Sequence, residues 1–313
     1  MRSVVTSTAL PCPAGLSMIQ VQELRKSFGA TTAVAGVSFE VRPGETFGLL
    51  GPNGAGKTTT ISMMIGVLQP GGGTISVNGG AQPTDPAARR SIGIAPQALS
   101  VYEELTALEN LNFFARLYGL RGKQLKDRVA WSLEFAGLAD RQRDVVKTFS
   151  GGMKRRLNMA VALVHDPQVI FLDEPTVGVD PQSRNHIFER IEELKATGRT
   201  LIYTTHYMEE AQRLCDRVAI MDHGKILDLD TVDALISRHG GKSLVKAELA
   251  RVPGDVSSLP AALEGLSLRF ESDRPLEEVG RLTSAGVVFQ TLEVSRPDLE
   301  TVFLILTGRS LRD

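Results

Sequence analysis

The stretch GPNGAGKT at residues 51–58 restricts the possible folds of this chain more than any other feature, because it matches the pattern G-x-x-x-x-G-K-[ST]. An apolar segment predicted as a strand, 45–50, precedes it, and a helix predicted over Thr58–Val67 follows. Glycines allow successive backbone N–H groups to surround a phosphate, Lys57 would reach the outer phosphates, and the Thr58 hydroxyl would ligate Mg²⁺. An ordinary glycine-rich turn is the alternative. Agreement at all eight positions, between a strand and a helix, favours a triphosphate site.

A second apolar segment, 168–172, ends in adjacent carboxylates at Asp173 and Glu174. A phosphate loop needs an acid at the end of a neighbouring strand to hold its metal ion. We therefore predict that Asp173 holds Mg²⁺ through water and that Glu174 polarises the attacking water. A strand that simply ends in solvated acids is the alternative, and the phosphate loop upstream makes it the weaker one.

Two more polar residues follow predicted strands. His206 comes after the apolar run 200–205, and Gln97 comes after the apparent strand 91–95. Because ligands bind at the carboxyl ends of parallel strands, we expect His206 to hydrogen-bond a γ-phosphate and Gln97 to contact the metal or the water. We expect structural or surface positions for the other histidines: His165, His186, His223 and His239.

Strand-like and helical patterns alternate over residues 154–221, which implies a parallel sheet with right-handed crossovers. Residues 18–43 alternate like the strands of an antiparallel sheet, and glycine clusters bracket a predicted hairpin at Thr74–Val77. Residues 98–150 are predicted to be a helical subdomain. The pattern predicts an α/β fold with a phosphate-loop core, an antiparallel β subdomain and a helical subdomain.

A break at residues 238–242 separates a second, small α/β domain without an obvious chemical constellation. The predicted strands of this domain are 244–249, 266–270 and 287–294, and its predicted helices lie near 259–263, 276–283 and 299–306. The predicted divisions of the chain are a flexible leader at 1–17, a nucleotide-binding domain at 18–238 and a C-terminal domain at 242–313.

Length, charge and cysteine content limit the number of domains, the partners and the cellular environment of the chain. Its 313 residues allow about two domains, and a net charge of -1 provides no basic field for nucleic acid or acidic lipid. Cys12 and Cys215 form neither a disulfide framework nor a zinc site, so we expect a reducing, cytoplasmic environment. No apolar run approaches the ~20 residues that span a bilayer. Residues 1–17 are expected to be a disordered leader, with a signal peptide as the alternative.

The segment FSGGMKRRLNMA at residues 149–160 starts a predicted helix with Ser150 as its capping residue. Its first turns carry three cations, at residues 154–156, where the helix dipole favours acids. Charge alone leaves two interpretations open: the cations extend into solvent, or they accompany an anion bound by the amides of residues 150–152. A second phosphate site makes sense if it completes the nucleotide site of a second copy across a two-fold interface.

These motifs resemble those of the ATP-binding-cassette (ABC) ATPases over residues 18–235. The resemblance rests on residues in the family's order: Gly51–Thr58, Gln97, Ser150-Gly151-Gly152-Met153, Asp173-Glu174, Val179-Asp180 and His206. The serine–glycine signature is the most specific of these motifs, since other phosphate-loop classes lack it. In that family two copies stack head to tail, and each ATP lies between one copy's phosphate loop and the other copy's signature.

The resemblance therefore implies a homodimer that binds ATP and Mg²⁺. The residues it implies as ATP contacts, with Phe28 stacking on adenine, are Phe28, Gly51, Pro52, Asn53, Gly54, Ala55, Gly56, Lys57, Thr58, Thr59, Ser150, Gly151 and Gly152. The implied metal ligands are Thr58, Gln97 and Asp173. The implied catalytic residues are Glu174 as the base, His206 at the γ-phosphate, Gln97, and Asp180 as a link between the two sites.

Two departures from the family pattern leave these expectations in place. Phe28 stands where tyrosine is commoner and keeps the stacking face, and Met153 replaces the usual glutamine outside the phosphate contacts. The form GGMKRR at 151–156 and the closing segment 295–308 resemble the branch of drug, lipid and polysaccharide exporters (daunorubicin-resistance-like). In that branch the ATPase and the membrane protein are separate chains.

This branch resemblance implies an ATPase subunit on the cytoplasmic face of the plasma membrane that touches the membrane only through a separate multi-span permease. We expect residues 102–110 to receive a helix of that permease, with a plain helical lid as the alternative. The resemblance favours a dimer-stabilising or regulatory C-terminal domain over a passive packing appendage. No nucleic-acid partner is expected.

Other function classes fit the sequence less well. Non-transport ABC ATPases of DNA repair or translation usually carry long coiled coils, zinc cysteines or two cassettes in one chain, and this sequence has none of these. A small-molecule kinase or GTP-binding switch would leave the signature unexplained, and the guanine-specific Asn-Lys-x-Asp is missing from the sequence.

Overall fold

The computed structural model of the chain describes residues 17–253, 259–261 and 263–308. The chain divides into two compact units between Thr231 and Val232. This division falls before the predicted break at 238–242. The predicted leader lies outside the described residues except for Ser17.

The first unit contains strands and helices in alternation. Its strands are β1 (Ile19–Phe28), β2 (Thr31–Val41), β3 (Thr46–Leu50), β4 (Gly72–Val77), β5 (Ile92–Ala95), β6 (Val169–Asp173), β7 (Thr200–Thr205), β8 (Arg217–Asp222) and β9 (Lys225–Thr231). Its helices are α1 (Lys57–Met64), α2 (Pro86–Arg90), α3 (Ala107–Leu117), α4 (Gly122–Phe135), α5 (Gly151–Leu163), α6 (Pro181–Ala196) and α7 (Met208–Leu214). The structure confirms the predicted α/β class.

The central sheet of this unit has six strands in the order β5-β6-β7-β3-β8-β9. All neighbours pair in parallel except β8 and β9, which form an antiparallel pair. Every residue of β3, β6 and β7 is buried. Continuous apolar runs are what a strand covered on both faces requires, which is why these strands were readable from sequence.

A three-stranded antiparallel sheet, in the order β2-β1-β4, forms the second layer. The predicted hairpin at Thr74–Val77 is wrong, because these residues belong to β4, a single strand paired with β1. Ile19 lies opposite Val77, and Gln22 lies opposite Thr74. The glycines on both sides end the strand, but its partner lies more than fifty positions earlier, which a local pattern does not reveal.

The predicted helical subdomain is built from α3, α4 and two short 3-10 turns, Ala139–Arg141 and Val146–Thr148. Helix α3 begins with a reciprocal capping box, in which Thr106 and Glu109 each bond the other's backbone N–H. Buried side chains of α3, α4 and α5 form one core between these helices. Among the described residues, no helix is both long and apolar enough to cross a membrane.

The second unit also mixes helices and strands. Its elements are α8 (Val232–His239), β10 (Ser243–Leu249), β11 (Leu263–Glu264), β12 (Ser267–Ser272), α9 (Pro275–Ser284), β13 (Phe289–Ser295) and α10 (Leu299–Thr307). The strands form one antiparallel sheet in the order β11-β12-β10-β13. The helix predicted near 259–263 is wrong at its end, since Leu263 pairs with Leu268 in the sheet, and residues 259–261 are not helical.

Candidate functional site

The carboxyl ends of four strands place the predicted site residues at one edge of the central sheet. The phosphate loop follows β3, Asp173 ends β6, His206 follows β7, and Gln97 lies two residues beyond β5. Parallel pairing sets Asp173 directly opposite Thr204. The expectation that these residues share one sheet edge therefore matches the structure.

The phosphate loop requires glycine at two positions for close backbone approach. A Cβ on Gly51 would lie 2.1 Å from the carbonyl oxygen of Met221, and one on Gly56 would lie 2.4 Å from that of Ala33. Gly56 also has a φ of 105°, in the left-handed region that glycine adopts without strain. The loop conformation therefore depends on its glycines and leads directly into α1.

Lys57 lies inside the curve of this loop and is only 5% exposed. Its Nζ donates to the carbonyl oxygens of Gly51 at 2.7 Å and Pro52 at 3.2 Å. Burial lowers the pKa of Lys57, and the charge of Glu174 and its hydrogen bond oppose that shift. A buried ammonium held by the loop's own carbonyls is placed to receive a phosphate.

The Glu174 side chain contacts residues that follow three other strands of the sheet. Its carboxylate lies 3.5 Å from Lys57 Nζ and 3.4 Å from His206 Nδ1, and it accepts a hydrogen bond from Gln97 Nε2 at 3.3 Å. The residue is buried and has a φ of 46°, which is uncommon outside glycine. Its backbone N–H donates to the Thr204 side-chain hydroxyl at 3.0 Å, which holds this conformation. The geometry aims one carboxylate at the space between three loops.

Asp173 and its neighbours supply the oxygen donors of the site. The Thr204 hydroxyl donates to Asp173 Oδ1 at 2.6 Å. Burial raises the pKa of Asp173, and hydrogen bonds from Thr204 and Thr58 oppose that shift. Within residues 17–253, 259–261 and 263–308, no cluster of three or more His, Cys, Asp or Glu side chains could hold a metal. A hydroxyl, one carboxylate and an amide are nevertheless a set that fits Mg²⁺, which takes few protein ligands beside water and phosphate oxygens.

The signature begins α5 as predicted. Ser150 is the N-cap, and its hydroxyl accepts from the Met153 N–H at 3.2 Å. Gly152 packs against the start of α6, where a Cβ would lie 2.2 Å from Ser183 Oγ. Gly151 is exposed, and a Cβ there would meet only the Gly178 carbonyl oxygen at 3.8 Å. The serine and the first glycine therefore remain open to solvent at the helix tip.

The positions of the three cations after the signature match neither of the two interpretations that charge alone left open. Lys154 Nζ pairs with Glu103 at 2.8 Å, and Arg156 donates to the carbonyl oxygen of Ala136. Arg155 is buried and donates through Nη1 to the Gln97 carbonyl oxygen at 2.7 Å. The cations bind the chain's own acceptors, so they neither extend freely into solvent nor surround the tip of α5. An anion at that tip would be bound by the backbone amides and by Ser150, without these three cations.

Arg155 joins three segments of the site. Besides Gln97, its guanidinium donates to the carbonyl oxygens of Pro96 at 3.2 Å and Val177 at 3.4 Å. Burial lowers its pKa, and the charges of Asp173 and Glu174 oppose that shift. It therefore connects the signature helix to the segment containing Gln97 and to the segment after Glu174.

Replacing Arg155 with Met is expected to lower the free energy of unfolding by about 2–3 kcal/mol, because it leaves these carbonyl groups without their buried donor. Denaturant unfolding measures the change. Lys154→Met is the matched control, with an expected loss below about 1 kcal/mol, because its ion pair with Glu103 is partly exposed. Equal losses in the two variants would contradict the bridging role of Arg155.

Two further predicted residues, Phe28 and Asp180, lie on β1 and at the start of α6. Phe28 ends β1 with 53% of its surface exposed, and Lys26 Nζ lies 5.5 Å from its ring centroid. Asp180 caps α6, and its carboxylate accepts from the Ser183 N–H at 2.9 Å. An exposed aromatic ring suits stacking on a base, and the roles of both residues stay predictions.

Sequence reasoning missed a buried carboxylate close to the site, Glu210 on α7. It is 3% exposed, whereas its neighbour Glu209 is exposed. One signal could have found it: Glu210 shares a helix face with Ala211 and Leu214, both apolar and buried. An acid on an apolar helix face needs buried hydrogen-bond donors.

The chain is similar to known proteins over most of its length. The ABC transporter family model matches residues 34–177. The chain is 43% identical to the linearmycin resistance ATP-binding protein LnrL of Bacillus subtilis (strain 168), over 95% of this chain and 100% of that protein. It is 40% identical to the Nod factor export ATP-binding protein I of Cupriavidus metallidurans, over 95% of this chain and 99% of that protein.

A solved structure described as the ATP binding subunit of an ABC transporter superimposes with a TM-score of 0.65. It is 34% identical and covers 72% of this chain and 94% of its own. The family resemblance of the sequence motifs is thereby confirmed. The chain belongs to the ABC transporter family, as an ATP-binding subunit that hydrolyses ATP.

Proposed function

We propose that two copies of this chain close on ATP, each signature completing the other copy's nucleotide site, and that this cycle drives export through a separate membrane protein. The observation that carries the proposal is the Glu174 carboxylate, held among Lys57, Gln97 and His206 at the mouth of the phosphate loop. Such an arrangement is suited to removing a proton from water beside a bound triphosphate.

Each residue of the edge has a distinct task in this proposal. Lys57 exchanges its bonds to the loop carbonyls for the outer phosphates, and Glu174 accepts the proton of the attacking water. His206 and Gln97, which both contact Glu174, orient the γ-phosphate and the water. Thr58, Asp173 and Gln97 would hold Mg²⁺. When bound, that ion neutralises charge on the β- and γ-phosphates.

The open tip of α5 supports the proposed homodimer. The first amides of a helix have no acceptor within the helix, and here the neighbouring cations bind elsewhere. Ser150 and the exposed Gly151 can therefore receive a phosphate from a second copy. Closure on ATP and reopening after hydrolysis then form a two-state switch, driven by tighter ATP binding to the closed state.

We infer the direction of transport and the cellular location of this chain from its similarity to its relatives. The two relatives compared above are named for linearmycin resistance and Nod factor export, and this chain covers nearly the whole of both. We infer export for this chain and a peripheral position on the cytoplasmic face of the membrane, with contact through the permease alone. Nothing observed favours a role in DNA repair or translation. For the second unit we infer a dimer-stabilising or regulatory role.

The docking surface for the permease is proposed around Tyr102. The Tyr102 ring, 50% exposed, contacts Phe113 edge-on at 5.3 Å between centroids and lies 6.1 Å from Phe114. Asn110 fixes the Tyr102 backbone, accepting from its N–H at 2.8 Å and donating to its carbonyl oxygen at 3.0 Å. A rigid, partly exposed aromatic cluster is suited to receiving an apolar helix.

Replacing Tyr102 with Glu is expected to reduce export at least tenfold while ATP hydrolysis by the isolated chain stays within about twofold of wild type, since an interface core rejects an unpaired charge. A charged residue at Leu105 should act in the same way. The measurement is ATP-dependent transport by the chain with its permease, which is identified as the multi-span protein that co-purifies from membranes. Val67→Glu, which places the same charge on an exposed apolar residue outside the helical subdomain, is the control.

Unchanged export by the Tyr102 variant would refute this docking surface. Absence of any multi-span partner would refute the transport proposal.

A further inference from the structure

A buried carboxylate that no predicted role uses joins three elements behind the catalytic edge. Glu210 Oε1 accepts from the Thr176 hydroxyl at 2.7 Å. Its Oε2 accepts from the Tyr203 hydroxyl at 2.8 Å and from the Thr205 hydroxyl at 2.9 Å. All four residues are buried. The donors come from the segment after β6 and from two positions of β7, while the acceptor is on α7.

A buried carboxylate at the centre of this network requires hydrogen-bond donors. A carboxylate that is 3% exposed would be costly to keep ionised without donors, and three hydroxyl groups supply them. Burial raises the pKa of Tyr203, and the Glu210 charge raises it further. These hydroxyls can meet the carboxylate only while the segment after β6, strand β7 and helix α7 stay in one arrangement, so the network favours that arrangement over others.

Two of the hydroxyls belong to segments that contain catalytic groups. Thr176 lies two residues after Glu174, in the segment that continues to Asp180. Thr205 directly precedes His206, and its oxygen also accepts from the Tyr207 N–H at 2.9 Å. The Thr205 hydroxyl therefore fixes the backbone on both sides of His206. Through Glu210 it is tied to the segment that starts at Glu174.

We propose that Glu210 is a positioning residue, which holds the segments after β6 and β7 in register and so sets His206 against Glu174. The inference rests on the proposed roles of Glu174 and His206. It assigns to a buried residue on α7 control over the 3.4 Å separation of those two side chains. Misplacement of catalytic groups by about 1 Å can cost on the order of 10²-fold in rate.

Glu210→Gln, which keeps the shape of the side chain, is expected to lower kcat for ATP hydrolysis at least tenfold while KM for ATP stays within about twofold. An amide accepts through one oxygen only, so at least one hydroxyl must reverse and accept from the amide N–H, and the charge-assisted bonds that hold the segments in register are lost. The phosphate loop and Phe28 lie outside the network, which is why binding is spared. Glu209→Gln, on the exposed neighbour of the same helix, is the matched control and should stay within about twofold of wild type in both constants.

Two further measurements separate positioning from general support of the fold. In a His206→Ala background, adding Glu210→Gln should lower kcat by less than about twofold, because the position of residue 206 no longer matters. Thr205→Val, which removes one hydroxyl without changing side-chain size, should reproduce the kcat loss at unchanged KM. It also carries the test if Glu210→Gln does not fold.

The outcomes are distinct. Folded Glu210→Gln or Thr205→Val with kcat within about twofold of wild type would overturn the inference, as would a Glu210→Gln loss that multiplies fully with that of His206→Ala. Glu174→Gln measured in the same assay tests the proposed catalytic function separately. Turnover retained by Glu174→Gln would refute that function, whereas turnover lost in Glu174→Gln but retained in Glu210→Gln refutes only the positioning role.

Discussion

Replacing Glu174 with Gln is expected to lower ATP turnover by about 10³-fold while ATP binding is retained. Glutamine has nearly the same shape, so the contacts with Gln97 and the Thr204 side chain can persist. An amide, however, cannot accept the proton of the attacking water. The phosphate loop does not change, which leaves the binding of the nucleotide intact. Steady-state hydrolysis and ATP binding, measured on the same preparation, check both parts.

The same variant should accumulate as an ATP-bound dimer. If ATP closes two copies and hydrolysis reopens them, loss of the base removes the route back to the open state. Size-exclusion chromatography with ATP should then show a dimer that dissociates slowly, and the same experiment with ADP should show monomers. Glu209→Gln is the control for a carboxylate lost from the exposed surface near the site. Turnover within tenfold of wild type in Glu174→Gln would exclude Glu174 as the base.

Much of the catalytic edge could be predicted from sequence because the constraints there are local. The turn at the phosphate loop depends on glycines at fixed spacing, and Gly51 and Gly56 have no room for a side chain. Buried parallel strands are apolar along their whole length, as in β6, so the polar residue that ends each one is easily recognised. The topology of the sheet then brings the ends of different strands together.

The features that sequence did not reveal depend on pairings and contacts that a local residue pattern does not show. The predicted hairpin became strand β4 because its partner is β1, and Leu263 joined a strand through its pairing with Leu268. The apolar face of α7 indicates that Glu210 is buried, but the hydroxyls of β7 that bind its carboxylate are visible only in the tertiary structure. The cations after the signature likewise looked like an anion site, since charge is visible in sequence and the carbonyl groups that bind it are not.

An equal mixture of two inactive variants, Lys57→Ala and Gly151→Asp, is expected to regain about a quarter of wild-type ATP turnover. Each variant alone should lose at least about 10²-fold, the first for want of the phosphate-loop lysine and the second because its carboxylate repels phosphate. In a head-to-tail dimer, a mixed pair has one site with both defects and one site with none. Random pairing makes half of the dimers mixed, and each mixed dimer has half of its sites intact.

Residue 151 suits this test because a side chain there has room. A Cβ on Gly151 would meet only the Gly178 carbonyl oxygen, at an ordinary 3.8 Å, so aspartate there changes the charge at the tip of α5 without forcing its packing apart. A side chain at Gly152 would collide with Ser183, and loss of the Ser150 hydroxyl would remove the helix cap. Gly151→Ala, which adds the Cβ without charge, should keep most of the activity. A mixture of Lys57→Ala with Glu174→Gln should stay inactive, because both defects lie in the half-site that one chain supplies alone. If instead each chain used its own signature, no mixture would recover, and the proposal that each copy completes the other's nucleotide site would fail.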